Sequence, residues 1–280
     1  DPAPQDLDRL RALKDIKIME GIENRVIFIG MDQGRDELLY SSVKGRNPFK
    51  DLRVRTALYQ AIDIETLRKS VMHGQARPTG TIAPSPLGIF NDEALEKRLP
   101  FDLTRARTLL AEAGFGDGFE VTLDCPNNRY INDERICVAL AAMWARIGVN
   151  VRVNAQPRAI FFPKAEKLDV SMYLLGWGGA ITDQEVTLTP VLRSRGSDGV
   201  GYYNWGNYKN ARLDELAAAS SVEWDPDKRG RLIKDAMREH GEQVHHIPLH
   251  RQVIPWAMRS NVDVVHRADN RLEWQWVTIR

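Results

Sequence analysis

Three histidines, His245, His246 and His250, lie close together, and the last pair has the four-residue spacing that places two zinc ligands on one helix face. Pro248 falls between them, which argues against a continuous helix presenting both rings, and no HExxH run or nearby general-base glutamate completes a zinc constellation. A strand-edge or interface role is expected for these histidines, with a metal-assisted hydrolase using His246 and His250 as the rival reading. The chain has 2 cysteines, Cys125 and Cys137, which fit neither a zinc pattern nor a disulfide framework. Two separate buried thiols are expected, and pairing across a strand-helix contact is the alternative in an exported protein. GxSxG, GxGxxG and GxxxxGK[ST] are all missing. Asp32, Asp36 and Glu37, like Asp133 and Glu134, read as solvated faces and helix starts. No catalytic residue, metal or cofactor is expected.

Binding chemistry is better represented. Trp177, Tyr202, Tyr203, Trp205 and Tyr208 fall in Gly- and Asn-rich stretches, outside any amphipathic stripe. Such rings offer large contact area with few rotatable bonds, while asparagines and the amides of glycine loops orient a ligand by hydrogen bonds. Trp177, Gly178 and Gly179 are therefore candidate ligand contacts, as are Asn204 and Trp205. A second wall is expected in the loop PNNRY, at Asn127, Asn128, Arg129 and Tyr130, where Arg129 could grip a ligand carboxylate with two parallel hydrogen bonds.

These residues need elements to hold them. A short charged helix is expected over residues 6–14 and a strand over 25–30. Asp51, Asp63 and Asp102 can each cap a helix, with Gly74 and Gly114 as stops. A strand is expected over 119–124, followed by a helix from Asp133 with Ile136, Leu140, Met143, Trp144 and Ile147 on one stripe. Gly148 ends it, and Val149, Val151 and Val153 alternate as a strand. A connection of that length makes a right-handed β-α-β unit with parallel strands, and ligand contacts fall in the loop after the first strand. Trp144, on the stripe, is expected to be a packing plug. A third strand over 169–175 is expected to break at Gly176-Trp177-Gly178-Gly179. Two helices follow, over residues 211–222 and from Asp225-Pro226, and then apolar segments around 247–258.

With 39 Lys plus Arg against 38 Asp plus Glu, the formal charge of +1 gives no electrostatic case for nucleic acid or a membrane surface. An apolar content of 43% supports a sizeable core, and no uncharged apolar run is long enough to span a bilayer. The chain opens on Asp1 and not on Met, so a processed or cut chain is expected.

Taken in order, the segments NPFKDLRVRTALYQAIDIETL, LPFDLTRARTLLAEAGF, PNNRYINDERICVALAAMWARIGVNVRV, LLGWGGAITD, YYNWGNYKNARLDEL and IPLHRQVIPWA form a recognisable set. They resemble the peptide/nickel class (family 5) of ABC-importer solute-binding proteins, over roughly residues 25 to 280. The resemblance implies an α/β fold of the periplasmic-binding-protein type (class II, cluster C), with a mixed sheet flanked by helices. Residues 1–24 would then be a leftover interlobe segment with a short helix, residues 25–280 the C-terminal ligand-binding lobe, and the N-terminal lobe would be absent. It implies a periplasmic, monomeric receptor that captures an oligopeptide or other small solute between two lobes. Its partner would be an inner-membrane ABC permease, with no nucleic acid involved; a chemosensory or chaperone receptor on the same fold is the alternative. Trp177 falls on the tryptophan of the family's GW loop. Three positions on, where peptide binders carry the aspartate that holds the ligand's α-ammonium group, stands Ala180, and Asp183 corresponds to the second acid of that pattern. The missing anchor points away from an ordinary free-amine peptide.

Overall fold

The computed structural model describes residues 2–84, 92–179 and 181–280. Near the N-terminus a single-turn helix α1 (Leu7–Arg11) leads into the long strand β1 (Ile16–Met31). Helices α2 (Leu52–Gln60) and α3 (Ile64–Thr66), the latter continued by a π turn, precede the short strand β2 (Ala76–Pro78). Helices α4 (Glu93–Glu96) and α5 (Leu103–Glu112) then lead to the parallel unit β3 (Phe119–Pro126), α6 (Asp133–Ala145) and β4 (Val149–Gln156). Helix α7 (Arg158–Glu166) returns the chain to β5 (Met172–Gly178). After the one-turn α8 (Glu185–Thr187) come α9 (Ala211–Val222), α10 (Pro226–Glu242) and β6 (His246–Arg259). A two-stranded pair, β7 (Val262–Asp263) with β8 (Thr278–Ile279), closes the described chain.

The helix starts follow the capping logic. The Asp51, Asp102 and Asp225 side chains accept the backbone amides of Arg53, Arg105 and Lys228, and Asn210 does the same for Leu213 at α9. Gly114 (φ +80°) and Gly148 (φ +85°) take the left-handed conformation just past α5 and α6, a region that costs glycine nothing.

The six main strands form one mixed sheet in the order β2-β6-β1-β5-β3-β4. Strand β3 runs parallel to β4 and β5, whereas β1 is antiparallel to both β5 and β6. Alternation along β1 assigns its side chains to two core layers. Ile27, Ile29 and Met31 face α2, α5 and α6, packing with Leu58, Leu110, Ile136, Leu140 and Trp144. Val26 and Phe28 face α7, α9 and α10, packing with Phe161, Leu213, Ile233 and Met237. The result is an α/β sandwich with helices on both faces. Trp144 fills the first layer as expected, fully buried and donating Nε1–H to the Leu58 carbonyl at 2.9 Å.

Several expectations need correction. The first helix is Leu7–Arg11, shorter than residues 6–14. Strand 25–30 is the second half of β1, which begins at Ile16. Strand β5 starts at Met172 and does not break at Gly176. It pairs through to Gly178, opposite Arg25, because a Cβ on Gly178 would collide with the Asn24 carbonyl and only glycine lets the two strands close. Asp32 is buried and not solvated: its Oδ1 accepts the amides of Gly34 and Arg35, and Arg35 pairs with Oδ2. Cys125 and Cys137 are not separate thiols; they form a disulfide from the end of β3 to the second turn of α6, with Cα atoms 6.8 Å apart.

Candidate functional site

The carboxyl ends of the parallel strands β3 and β5 lie side by side, and the loop after β3 folds over them. Asp133, at the start of α6, holds this loop by accepting the amides of Arg129 (2.9 Å) and Tyr130 (3.0 Å) on Oδ2. Tyr130 turns inward. Its hydroxyl donates to the Gly176 carbonyl at 3.1 Å, and its ring lies where a side chain on residue 176 would have to go. The two walls expected from the sequence, 127–130 and 176–179, are therefore joined through one tyrosine.

Around that ring the site is cationic. The Arg129 guanidinium lies 5.1 Å from the Tyr130 ring centroid and that of Arg25, from β1, lies 5.9 Å from it. Arg25 is paired with Glu23 at 3.1 Å, while the exposed Arg129 makes no ion pair among the described residues. Glu23 also accepts from Gln252 of β6 at 2.7 Å, and Gln252 accepts the Ile131 amide. Asn127 is exposed and its amide donates to the Gln156 carbonyl; the Asn128 side chain caps the start of α7 by accepting the Arg158 amide at 2.8 Å. From Asn127 and Tyr130 an open groove of about 670 Å³ runs along the outer face of α6, past Asn132, Arg135 and Val138.

Trp177 leaves β5 on the opposite face. Its ring centroid is 4.9 Å from that of Tyr203, and its Nε1–H donates to the Val186 carbonyl at 3.0 Å. The Gly179 amide donates to the Asn24 carbonyl, which fixes the strand end. Ala180 lies outside the described residues. Asp183 is gripped by the two terminal nitrogens of Arg229 at 2.9 and 3.0 Å, and both this guanidinium and the Glu185 amide hold its carboxyl below the usual carboxylate range against the opposing effect of burial. Its two oxygens are thereby engaged within the lobe.

Asn204 and Trp205 sit elsewhere. Both are fully buried, Trp205 inside an aromatic cluster with Phe161, Phe162, Tyr173 and Tyr203. The Asn204 amide donates to the Arg193 and Tyr208 carbonyls and so shapes the turn from within.

The histidines are core residues, not edge residues, because β6 is flanked by β2 and β1. His245 stacks flat on Tyr208 at 3.8 Å and bonds Gln33 and Asn210. His246 shares a 2.8 Å hydrogen bond with His240 of α10 and approaches the Tyr173 hydroxyl at 3.4 Å. His250 is fully buried, and neither ring nitrogen has a partner among the described residues. Burial drives all four imidazoles toward the neutral form, His240 and His250 to a pKa of about 3 and His245 to about 2. Among the described residues no three His, Cys, Asp or Glu side chains converge to hold a metal ion. No helix among them is long and apolar enough to cross a membrane.

Arg25, Gln252, His240 and Arg229 had no signal in the sequence. Arg25, Gln252 and Arg229 lie far along the chain from Tyr130, Ile131 and Asp183, which only the fold brings to them, and His240 reaches the nearby His246 from the last turn of α10.

Comparison with known proteins adds an independent line. Residues 1–199 match the family described as bacterial extracellular solute-binding proteins, family 5 middle. Heme-binding protein A of Haemophilus influenzae is 28% identical over 208 residues, covering 72% of this chain and 37% of that protein. The glutathione-binding protein GsiB of Salmonella typhimurium is 31% identical over 210 residues, covering 73% of this chain and 40% of that one. In shape, the Helicobacter pylori periplasmic binding protein DppA, solved with the peptide STSA, superposes with a TM-score of 0.84 at 19% identity, over 100% of this chain and 52% of that one. The chain thus spans about two fifths of these curated relatives and about half of that solved chain.

Proposed function

Because the chain belongs to the family 5 bacterial extracellular solute-binding proteins, we propose that it is the C-terminal ligand-binding lobe of an ABC-importer receptor. The receptor captures a small solute at the ends of β3 and β5 and presents it to an inner-membrane permease. The observation that carries this reading is the Tyr130 bridge. It joins two loops at the carboxyl ends of parallel strands, where α/β sheets bind ligands, beside a guanidinium with no ion pair among the described residues. The Cys125–Cys137 disulfide supports an oxidising compartment, and hence a periplasmic or extracellular location.

Asn127, Asn128, Arg129, Tyr130, Trp177, Gly178 and Gly179 are the ligand contacts under this proposal. Asp183 serves Arg229 instead, and Asn204 and Trp205 support the loops from inside. With alanine at position 180 and Asp183 engaged, the lobe offers no carboxylate for a peptide ammonium on that loop. Arg129 favours a solute with an anionic group, which it would hold by charge-assisted hydrogen bonds. Closure with a second lobe completes the cleft, and capture works by the ligand's higher affinity for the closed arrangement. No bond is made or broken.

The test is calorimetric titration of the full-length two-lobed protein with hemin, glutathione and Ala-Ala. Binding of at least one, weakened about tenfold or more by Arg129→Ala or Tyr130→Ala, is the expected outcome, a loss of about 1.4 kcal/mol or more. Failure of every solute on a broad peptide and metabolite panel would overturn the proposal.

A further inference from the structure

The disulfide sits at an informative place. Cys125 is the next-to-last residue of β3 and Cys137 lies in α6, and between them runs the whole ligand loop. Both sulfurs are fully buried in the core layer beneath that loop. A chain of this length with two extensive core layers does not depend on one short-range bridge to stay folded, unlike the small secreted domains in which disulfides substitute for a core. What the bridge does close is the segment that meets the ligand.

The other restraints on that segment point the same way. The Arg129 and Tyr130 amides are held by Asp133, and the Ile131 amide by Gln252. The Asn132 side chain donates to the Val71 carbonyl at 2.8 Å, while its backbone sits at φ +53°. The Tyr130 hydroxyl carries the order across to Gly176, one residue before Trp177.

We infer that the Cys125–Cys137 disulfide is a positioning element for ligand capture: it pre-sets the 126–132 loop, and Tyr130 passes that setting to the Trp177 strand end. This rests on the ligand-site reading above. A ligand that meets a loop already in its bound shape need not order it, so loosening the loop weakens binding in proportion to the time the binding shape is lost. A loop holding that shape about a tenth of the time binds about tenfold more weakly.

The experiment compares the parent with a Cys125→Ala/Cys137→Ala double variant by hydrogen exchange, read amide by amide, and by titration with glutathione, hemin and Ala-Ala. Protection at Arg129, Tyr130 and Ile131 is expected to fall about tenfold or more while the amides of β1, β4 and the first half of β5, Met172 to Leu175, keep theirs, and affinity for the solute the parent binds is expected to fall about tenfold. Unchanged loop protection, or an equal loss across the whole sheet, would reduce the bridge to a general staple and overturn the inference. So would a normal affinity in the variant. A parent that binds neither these solutes nor any on a broad peptide and metabolite panel refutes the ligand-site reading separately, since the exchange result does not depend on a ligand. Should the double variant fail to fold, Tyr130→Phe supplies the second arm. Exchange at Trp177 and Gly178 is expected to rise with the fold intact, and parent-like exchange there would refute the transfer through Tyr130.

Discussion

His250 offers the sharpest test of the core. Its imidazole is fully buried beside the Arg98 guanidinium, both ring nitrogens lack partners among the described residues, and burial first and that positive charge second push its pKa down to about 3. In the unfolded chain the ring titrates near 6.5. Between pH 6.5 and 3 the unfolded state therefore binds more protons than the folded one, and stability falls as the pH falls through that window. At pH 5 the unfolded ring lies 1.5 units below its midpoint, and at about 1.4 kcal/mol per unit this costs the folded state about 2 kcal/mol. How far below 5 the folded value lies does not matter at that pH. Burial shifts His240, His245 and His246 in the same direction, so their effect on acidification has the same sign as that of His250. Replacing His250 by Leu deletes an unsatisfied polar ring and leaves no titrating group. At pH 7.5 His250→Leu should match or exceed the parent within about 1 kcal/mol. At pH 5 its advantage should grow by about 2 kcal/mol. Urea unfolding followed by tryptophan fluorescence at both pH values measures this. Carboxylates such as Asp183, held low by Arg229, enter only below pH 5, outside the comparison. A difference between variant and parent that does not change with pH would refute the reasoning.

Two substitutions probe the packing that positions the site. A Cβ at Gly176 would stand 2.5 Å from Tyr130 Cε1 and 2.8 Å from Ile27 Cδ1, so Gly176→Ala should lower the urea-unfolding free energy by about 1–3 kcal/mol; a parent-like midpoint would mean that the Tyr130 ring does not rest on β5. Trp144→Ala removes a fully buried indole together with its hydrogen bond to Leu58 and should cost about 3–5 kcal/mol in the same assay, whereas a loss below about 1 kcal/mol would contradict its central place.

What the sequence disclosed was local. The β3-α6-β4 unit carries its own signals, a stripe at helical spacing, a stop at Gly148 and alternating valines, and it folds as read. Asp51, Asp102 and Asp225 were legible as caps because capping is decided within four residues. The extent of β1 was not legible: Lys17 and Glu20, which pair with β6, and the buried Glu23 and Asn24, which fall in the register shift between Ile22 and Val26, interrupt its apolar pattern, and Glu23 is tolerated because Arg25 and Gln252 bind its carboxylate. Helix α7 carries Pro163 in its interior and offered no readable stripe. In the site, the loop residues after β3 were legible from position alone. Trp205 was not, because an aromatic in a Gly/Asn-rich segment reads the same whether it lines a cleft or plugs a core, and only the convergence of Phe161, Phe162 and Tyr173 decides. The disulfide depended on the angle at which α6 crosses β3, which spacing does not encode.

The strand order also bears on how the chain is made. Strand β1, which precedes every other strand of the sheet in the chain, lies between β5 and β6, and its Ile16 pairs with Arg259. Pairings so distant in sequence cannot form until the intervening chain exists, so folding is slow and cannot finish before β6 has left the ribosome. Until β6 is released from the ribosome, β1 has a bare edge and two apolar faces without their full cover, the state in which strands recruit the wrong partner. A molecule that has not yet closed its sheet is also one that can still be threaded, extended, through a narrow channel.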